Sequence, residues 1–373
     1  MTTEGQGVSP AGGAPAGVRS IAPYRPGRPI GEVARELGLD PAGIVKLASN
    51  ENPLGMSPKA VAVAQQVLAG GARYPDANGH DLKQALARHY GVDAGWITLG
   101  NGSNDILELA ARALVGPGQG IIHSRYAFIV YPLVAQAIGA VGIEVPDAGL
   151  GHDLAAMLAA ITPGTRLVFI ANPNNPTGTF IPGDALLRFL EQVPPQVAVV
   201  LDEAYTEYLA PGQRYDALAW VKRFPNLIVS RTFSKAYGLA GLRVGFAVAQ
   251  PALTDLMGRV RQPFNVNSAA LAAAEAVLDD ADYLTRSYQI NCEGRALLVQ
   301  AFEALGLEYV PSSGNFVLVK VGDAAGINDQ LLRAGIIVRP VANYGLPEWL
   351  RVSVGLPEEN RAFIDALTKI LGK

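Results

Sequence analysis

RLVFIANPNNPTG, residues 166–178, carries a run of mostly apolar residues from Arg166 to Ala171 straight into the polar cluster Asn172-Pro-Asn-Asn-Pro-Thr-Gly178. Consecutive apolar residues with no polar alternation suit a strand covered on both faces, as in a parallel sheet between two helix layers. The prolines and Gly178 then end it. The pattern recurs. Residues 96–99, 120–123, 142–145, 197–201, 227–230 and 244–248 are short apolar runs, often β-branched, and residues 81–90, 104–114, 183–192 and 268–278 have helical spacing. The fold class predicted is α/β, with a mostly parallel sheet covered by helices forming a large domain over residues 49–278.

Beyond residue 279 the order changes. A long helix is expected over 283–305, then apolar runs at 316–321, 336–339 and 350–354, and a terminal helix over 358–371, which predicts a smaller α+β domain over 279–373. Residues 20–48 read as a segment packing with that small domain. Residues 1–19, rich in Gly, Ala, Pro and Ser, read as a disordered leader, because they bury too little to offset their ordering entropy.

Composition narrows the function. The 373-residue chain is 49% hydrophobic and 17% charged with a net charge of −3, so no basic footprint for nucleic acid exists. No apolar run approaches the ~18–20 residues that cross a bilayer, and the N-terminus lacks the apolar region of a signal peptide. A soluble, cytoplasmic protein with no membrane or nucleic-acid partner is expected. The single Cys292 reads as a free thiol. His80, His89, His123 and His152 show no metal-ligand spacing, so no metal is predicted.

Five polar clusters each follow a predicted strand: residues 100–105 (GNGSND), 124–126 (SRY), 172–178, 202–205 (DEAY) and 232–235 (TFSK). In an open α/β sheet, ligands bind outside the carboxyl ends of the strands, so all five should converge on one crevice. Lys235 would lie at its floor beside Arg243, and an amine that is desolvated or flanked by cations becomes nucleophilic toward carbonyls. Asp202 ends a wholly apolar strand and needs a partner there, either a structural cation or a protonated ring nitrogen. Tyr205 would reach the same ring. The turn before Ser103 and Asn104 opens a helix, which serves either as an ordinary capped end or as an anion cradle. Thr232, Ser234 and Arg243 would add hydroxyl and guanidinium contacts to that anion, with Tyr126 as the nearby aromatic.

Thr232-Phe-Ser-Lys235 with Gly241-Leu-Arg243, taken with Asn172–Gly178 and Asp202–Tyr205, resembles the signature of the class I/II aminotransferases, pyridoxal-phosphate enzymes of fold type I. The resemblance runs from about Ser20 to the end. It implies pyridoxal 5'-phosphate as cofactor, joined to Lys235 as a Schiff base, with Asp202 at the pyridine nitrogen and Asn175 and Tyr205 at the ring's 3-oxygen. It places Ser103, Asn104, Thr232, Ser234 and Arg243 at the cofactor phosphate, joined there by Tyr74 from a partner subunit, and so implies a homodimer. Tyr126 is similar to the residue that stacks on the ring, but Ser124-Arg125 stands before it where many members have Pro-Thr, which makes Phe128 the alternative.

Residues 23–29, 49–55, 73–76, 100–105 and 343–351 resemble the branch of this family that acts on histidinol phosphate. That branch implies that Arg351 takes the substrate phosphate, with Arg339 beside it and Tyr24 and Asn52 lining the substrate end. The implied reaction joins L-histidinol phosphate and 2-oxoglutarate to imidazole acetol phosphate and L-glutamate, a step of histidine biosynthesis. An aromatic-amino-acid aminotransferase or a threonine-phosphate decarboxylase would share the cofactor residues. A cofactor-sensing regulator would need a DNA-binding region that the stretch before Ser20 is too short and too poor in basic residues to supply.

Overall fold

The computed structural model describes residues 10–23 and 27–373. Among these, seven strands form the central sheet: β1 (Ile97–Gly100), β2 (Gly120–Ser124), β3 (Val141–Val145), β4 (Thr165–Ala171), β5 (Ala198–Asp202), β6 (Leu227–Thr232) and β7 (Gly245–Val248). Their order across the sheet is β1-β7-β6-β5-β4-β2-β3. All neighbours run parallel except β7, which is antiparallel to both β1 and β6. The seven predicted runs are these seven strands.

Side chains alternate across the pleat, so each apolar run feeds two cores. Val168 and Ile170 of β4 join a core with Val199, Leu201 and Phe246, while Leu167 and Phe169 join the opposite core with Val200 and Ile228. Helices His80–Tyr90, Gly183–Leu190 and Ser268–Leu278 close the first face. The second is closed by α1 (Ser103–Leu114), α2 (Val130–Ala137) and Pro251–Val260.

The reversed strand β7 keeps chemistry at one edge. The chain leaves β6 at Thr232, passes through Lys235 and Arg243, and re-enters at Gly245, which pairs with both Thr232 and Gly100. Asp202 pairs with Ser230 on β6 and Ala171 on β4, so these strands and β1 finish at the same edge.

The smaller domain has a four-stranded antiparallel sheet of β8 (Tyr309–Val310), β9 (Phe316–Lys320), β10 (Arg339–Val341) and β11 (Leu346–Ser353), in the order β8-β9-β11-β10. Leu298 and Phe302 of α3 (Ala281–Ala304), Ile327 and Leu331 of α4 (Ala324–Arg333) and Phe363 and Leu367 of α5 (Pro357–Ile370) pack on it. Val45–Lys46 pairs in parallel with Ile336–Ile337, and Val33, Ala34 and Ile44 pack on Leu332 and Ile337, so the segment before Ser49 lies on this domain.

The leader departs from the disorder expected of it at Ala16–Ser20, a helical turn lying against α2. Its glycine explains the contact: a Cβ on Gly17 would collide with the carbonyl of Gln136, so only glycine lets the turn lie that close. Among the described residues no helix is long and apolar enough to cross a membrane, and no group of His, Cys, Asp and Glu could hold a metal ion.

Candidate active site

At the carboxyl edge of the sheet a crevice opens between the two domains, with Lys235 at its centre. One wall is an anion cradle. Gly102, at φ 78°, turns the chain into α1 with no side-chain cap, so the first backbone N–H groups of a 12-residue helix are left for a ligand. A Cβ on Gly102 would strike the guanidinium of Arg243, and one on Gly245 would lie 2.6 Å from the backbone nitrogen of Ser103. Arg243 Nη1 donates to Ser234 Oγ at 3.3 Å, and the Ser234 N–H donates to Thr232 Oγ1 at 3.1 Å. Ser103, Asn104, Thr232, Ser234 and Arg243 thus line one end of the crevice. Their donors suit a phosphate dianion.

Asp202 forms the base of the opposite wall. It is 4% exposed, and Tyr131 Oη donates to its Oδ2 at 2.9 Å. Its Oδ1 has no partner among the described residues although it is buried. Burial pushes the carboxyl up to about 7, against the pull of the Tyr131 hydroxyl and with Glu203 adding to the rise. A buried acceptor with a vacant oxygen fits a protonated ring nitrogen.

Lys235 is half-buried. Its Nζ donates to the Ser49 carbonyl at 3.2 Å and lies 5.8 Å from the centre of the Tyr205 ring. Burial lowers its pKa to about 8, with the cations of Arg351 and Arg243 adding to the fall and Glu51 and Asp202 opposing it. About a tenth of this amine is therefore neutral near pH 7, where a free lysine is almost wholly charged. Tyr205 is 3% exposed and burial pushes its phenol up to about 12, so it stays protonated and able to donate.

Arg351 closes the crevice from the small domain. Its Nη1 donates to Asn175 Oδ1 at 2.6 Å and its Nη2 to the Ala48 carbonyl at 2.8 Å. Arg339 pairs with Arg351 across β10 and β11, and both line the crevice. Two arginines on neighbouring strands suit a second anion at this end.

Behind the sheet edge, Arg231 Nε and Nη2 donate to Glu203 Oε2 at 2.9 and 2.8 Å, and the guanidinium lies 5.1 Å from the Tyr90 ring centre. Glu203 and Arg231 directly flank Asp202 and Thr232 in the chain, and the pair ties β5 to β6 there.

Two expected residues lie elsewhere. Tyr126 does not line the crevice: the turn after β2 carries it against the small-domain cluster of Val310, Leu318, Val341, Leu346 and Trp349 and brings Phe128 into the crevice instead, 5.9 Å from Tyr131 and edge-on. Asn52 also points away, because its amide donates to the Ala236 carbonyl and Ser287 Oγ and its own oxygen takes the Leu54 N–H. Asn50 lines the crevice in its place. Tyr74, expected at the partner subunit's cofactor, is 82% exposed and stacked on Phe264 at 4.6 Å. Tyr24 falls outside the described residues. Sequence reasoning also missed Tyr131 and Tyr344. Tyr131 sits three residues after Phe128, the spacing that brings two side chains to one side of a helical turn, and that was the available signal.

The sequence profile described as "Aminotransferase class I and II" matches residues 42–367. "Histidinol-phosphate aminotransferase 2" of Ralstonia nicotianae is 65% identical over 360 residues, covering 95% of this chain and 96% of that protein. "Histidinol-phosphate aminotransferase 1" of Cupriavidus pinatubonensis is 64% identical over 358 residues, covering 95% of each. Among solved structures, the histidinol-phosphate aminotransferase of Sinorhizobium meliloti in complex with pyridoxal-5'-phosphate superposes with a TM-score of 0.88 at 30% identity, covering 96% of this chain and 97% of that one.

Proposed function

The chain belongs to the class I and II aminotransferase family, and we propose that it interconverts L-histidinol phosphate and 2-oxoglutarate with imidazole acetol phosphate and L-glutamate in histidine biosynthesis. It is a pyridoxal-phosphate-dependent enzyme. The observation that carries the residue assignment is the convergence on one crevice of a lysine lowered to about 8, a buried carboxylate with a vacant oxygen and an uncapped helix N-terminus.

When bound, the cofactor supplies an aldehyde for an amine to condense with and a ring that withdraws electrons from the adjoining carbon. Lys235 Nζ would hold that aldehyde carbon, and as a free amine it would take and return the proton at the substrate carbon bearing the amine. Asp202 Oδ1 accepts from the ring nitrogen and keeps it protonated. Tyr205 and Asn175 hold the 3-oxygen. Ser103, Asn104, Thr232, Ser234 and Arg243 hold the cofactor phosphate by backbone, hydroxyl and guanidinium donors. Phe128 is assigned to the ring face. At the far end Arg351 and Arg339 take the phosphate of histidinol phosphate and the carboxylate of the 2-oxo acid in turn, both planar or tetrahedral anions that suit a forked guanidinium.

The reading includes a homodimer. Tyr74, exposed on this chain and stacked on an exposed Phe264, is assigned to the phosphate of the partner subunit's cofactor. A cytoplasmic setting belongs to the same reading and suits a biosynthetic enzyme of small polar metabolites. The test is a comparison of kcat/KM for L-histidinol phosphate, L-phenylalanine and L-threonine phosphate with 2-oxoglutarate as acceptor. Histidinol phosphate should lead by tenfold or more in glutamate formed. A lead for phenylalanine would reassign the substrate and leave the cofactor residues standing.

A further inference from the structure

Asn50 adopts a conformation that few non-glycine residues take, and every polar group it has is used. Its φ is 54°, in the left-handed region, and it is 1% exposed. Its N–H donates to Ser353 Oγ at 2.8 Å, and the Ser353 hydroxyl donates back to Asn50 Oδ1 at 2.9 Å. Its carbonyl accepts from Asn315 Nδ2 at 3.0 Å. Its Nδ2 donates to Tyr205 Oη at 3.0 Å. Ser353 ends β11 and Asn315 precedes β9, so the small domain holds Asn50 from two sides while Asn50 holds a phenol of the large domain. An asparagine kept in this backbone region by four hydrogen bonds is an outlier whose orientation the surroundings over-determine.

The network also decides which way the amide faces. Because Ser353 spends its only hydrogen on Oδ1, the amide presents nitrogen to Tyr205, and an amide nitrogen can only donate. The Tyr205 oxygen is therefore an acceptor toward Asn50, and its own hydrogen is left for another group. The charged and titratable groups facing Tyr205 are Arg351, Asp202, Tyr344, Tyr131, Tyr208 and Lys235; Asp202 Oδ2 already accepts from Tyr131, and its vacant Oδ1 is the oxygen assigned to the ring nitrogen. Tyr205 lines the crevice, and the hydrogen points to an acceptor held there.

We propose that Asn50 is a positioning residue that, by donating to Tyr205 Oη, fixes Tyr205 as a hydrogen-bond donor into the crevice and so keeps the 3-oxygen of the bound cofactor deprotonated. This rests on the assignment of Tyr205 to that oxygen. Asn50→Asp is the sharp test. Aspartate tolerates the same φ and has nearly the same shape, but it accepts where the amide donates, so it takes the Tyr205 hydrogen for itself. Asn50→Gly keeps the backbone and removes the donor.

The measurement is the pH titration of the absorbance of the protein-bound cofactor in the holoenzyme, for the unmodified chain, N50D, N50G, Y205F and the double variant N50D/Y205F, with cofactor Kd recorded alongside. N50D and Y205F should each raise the titration midpoint by about one pH unit, as loss of one hydrogen bond predicts. N50G should raise it less, and N50D should add almost nothing in the Y205F background. A Y205F midpoint that moves while N50D and N50G stay within about 0.2 pH unit of the unmodified chain, whatever they do to Kd, overturns the role of Asn50 alone. If Y205F itself leaves the midpoint in place, the Tyr205 assignment falls and takes the proposal with it. Should N50D not fold, N50G and the same double variant built on it carry the comparison.

Discussion

Replacing Tyr131 by phenylalanine removes one oxygen atom from the wall behind Asp202 and little else. The ring is fully buried, stacked on Phe169 at 4.5 Å with planes 3° apart, and those contacts survive the change. What is lost is the 2.9 Å hydrogen bond to Asp202 Oδ2. A hydrogen bond to a charged group contributes about 1.5–3 kcal/mol, and at about 1.4 kcal/mol per pH unit its loss raises Asp202 by roughly one to two units. Burial already holds this carboxyl at about 7, so the variant's Asp202 is mostly protonated at neutral pH. A protonated acid cannot keep a ring nitrogen charged. The same energy then appears as a roughly tenfold to 150-fold weaker Kd for pyridoxal phosphate, measured by titrating apoprotein at pH 7. In an Asp202→Asn background the Tyr131→Phe change should cost far less, because the charge it serves is gone. An unchanged Kd, or an equal loss in both backgrounds, would refute the argument.

The other expectations concern protons and placement. The rate at which apoprotein captures pyridoxal phosphate covalently should rise with pH to a plateau with a midpoint near 8, because the neutral Lys235 amine is the nucleophile; Arg351→Gln should move that midpoint up by removing a cation that lowers it. Asp202 keeps its proton in the folded apoprotein up to about 7, whereas the unfolded chain loses it near 3.8, so its contribution to stability is full below about 4 and is lost as pH rises toward 7. Asp202→Asn should flatten that part of the melting-temperature profile of the apoprotein. Phe128→Ala should weaken cofactor binding severalfold while Tyr126→Ala leaves it nearly unchanged, since only Phe128 lines the crevice; the reverse order would return the ring face to Tyr126.

The sheet was legible because its strands are apolar on both faces, a pattern that survives in one sequence without knowledge of partners. The gathering of Ser103, Thr232, Ser234 and Arg243 at one end of the crevice was legible for a related reason: they follow strand ends, and strand ends gather at one edge of such a sheet. Helices were harder to see. Pro58–Leu68 is rich in alanine and valine on several faces, and Ala324–Arg333 has only Ile327, Leu331 and Leu332 to mark its buried side. Tyr126 and Phe128, or Asn50 and Asn52, are two residues apart in turns, where no period of two or 3.6 states which one faces inward. In both cases the inward residue is two positions from the first expected one, and for Tyr126 it is the alternative, Phe128. The spacing from Phe128 could bring Tyr131 to the same side of the turn but could not pair it, because its partner, Asp202, lies 71 residues away in the chain and meets it through the register of β2, β4 and β5.

Under the proposed function, the crevice at the carboxyl edge of the sheet holds pyridoxal phosphate on Lys235. Borohydride reduction of the holoenzyme converts the carbon–nitrogen double bond between lysine and cofactor into a stable single bond, and mass spectrometry of the digest then identifies the lysine that carries it. The modification is predicted on Lys235 alone, and Lys235→Ala should abolish it. Its appearance on any other of the chain's lysines, or its persistence in the Lys235→Ala variant, would contradict the account.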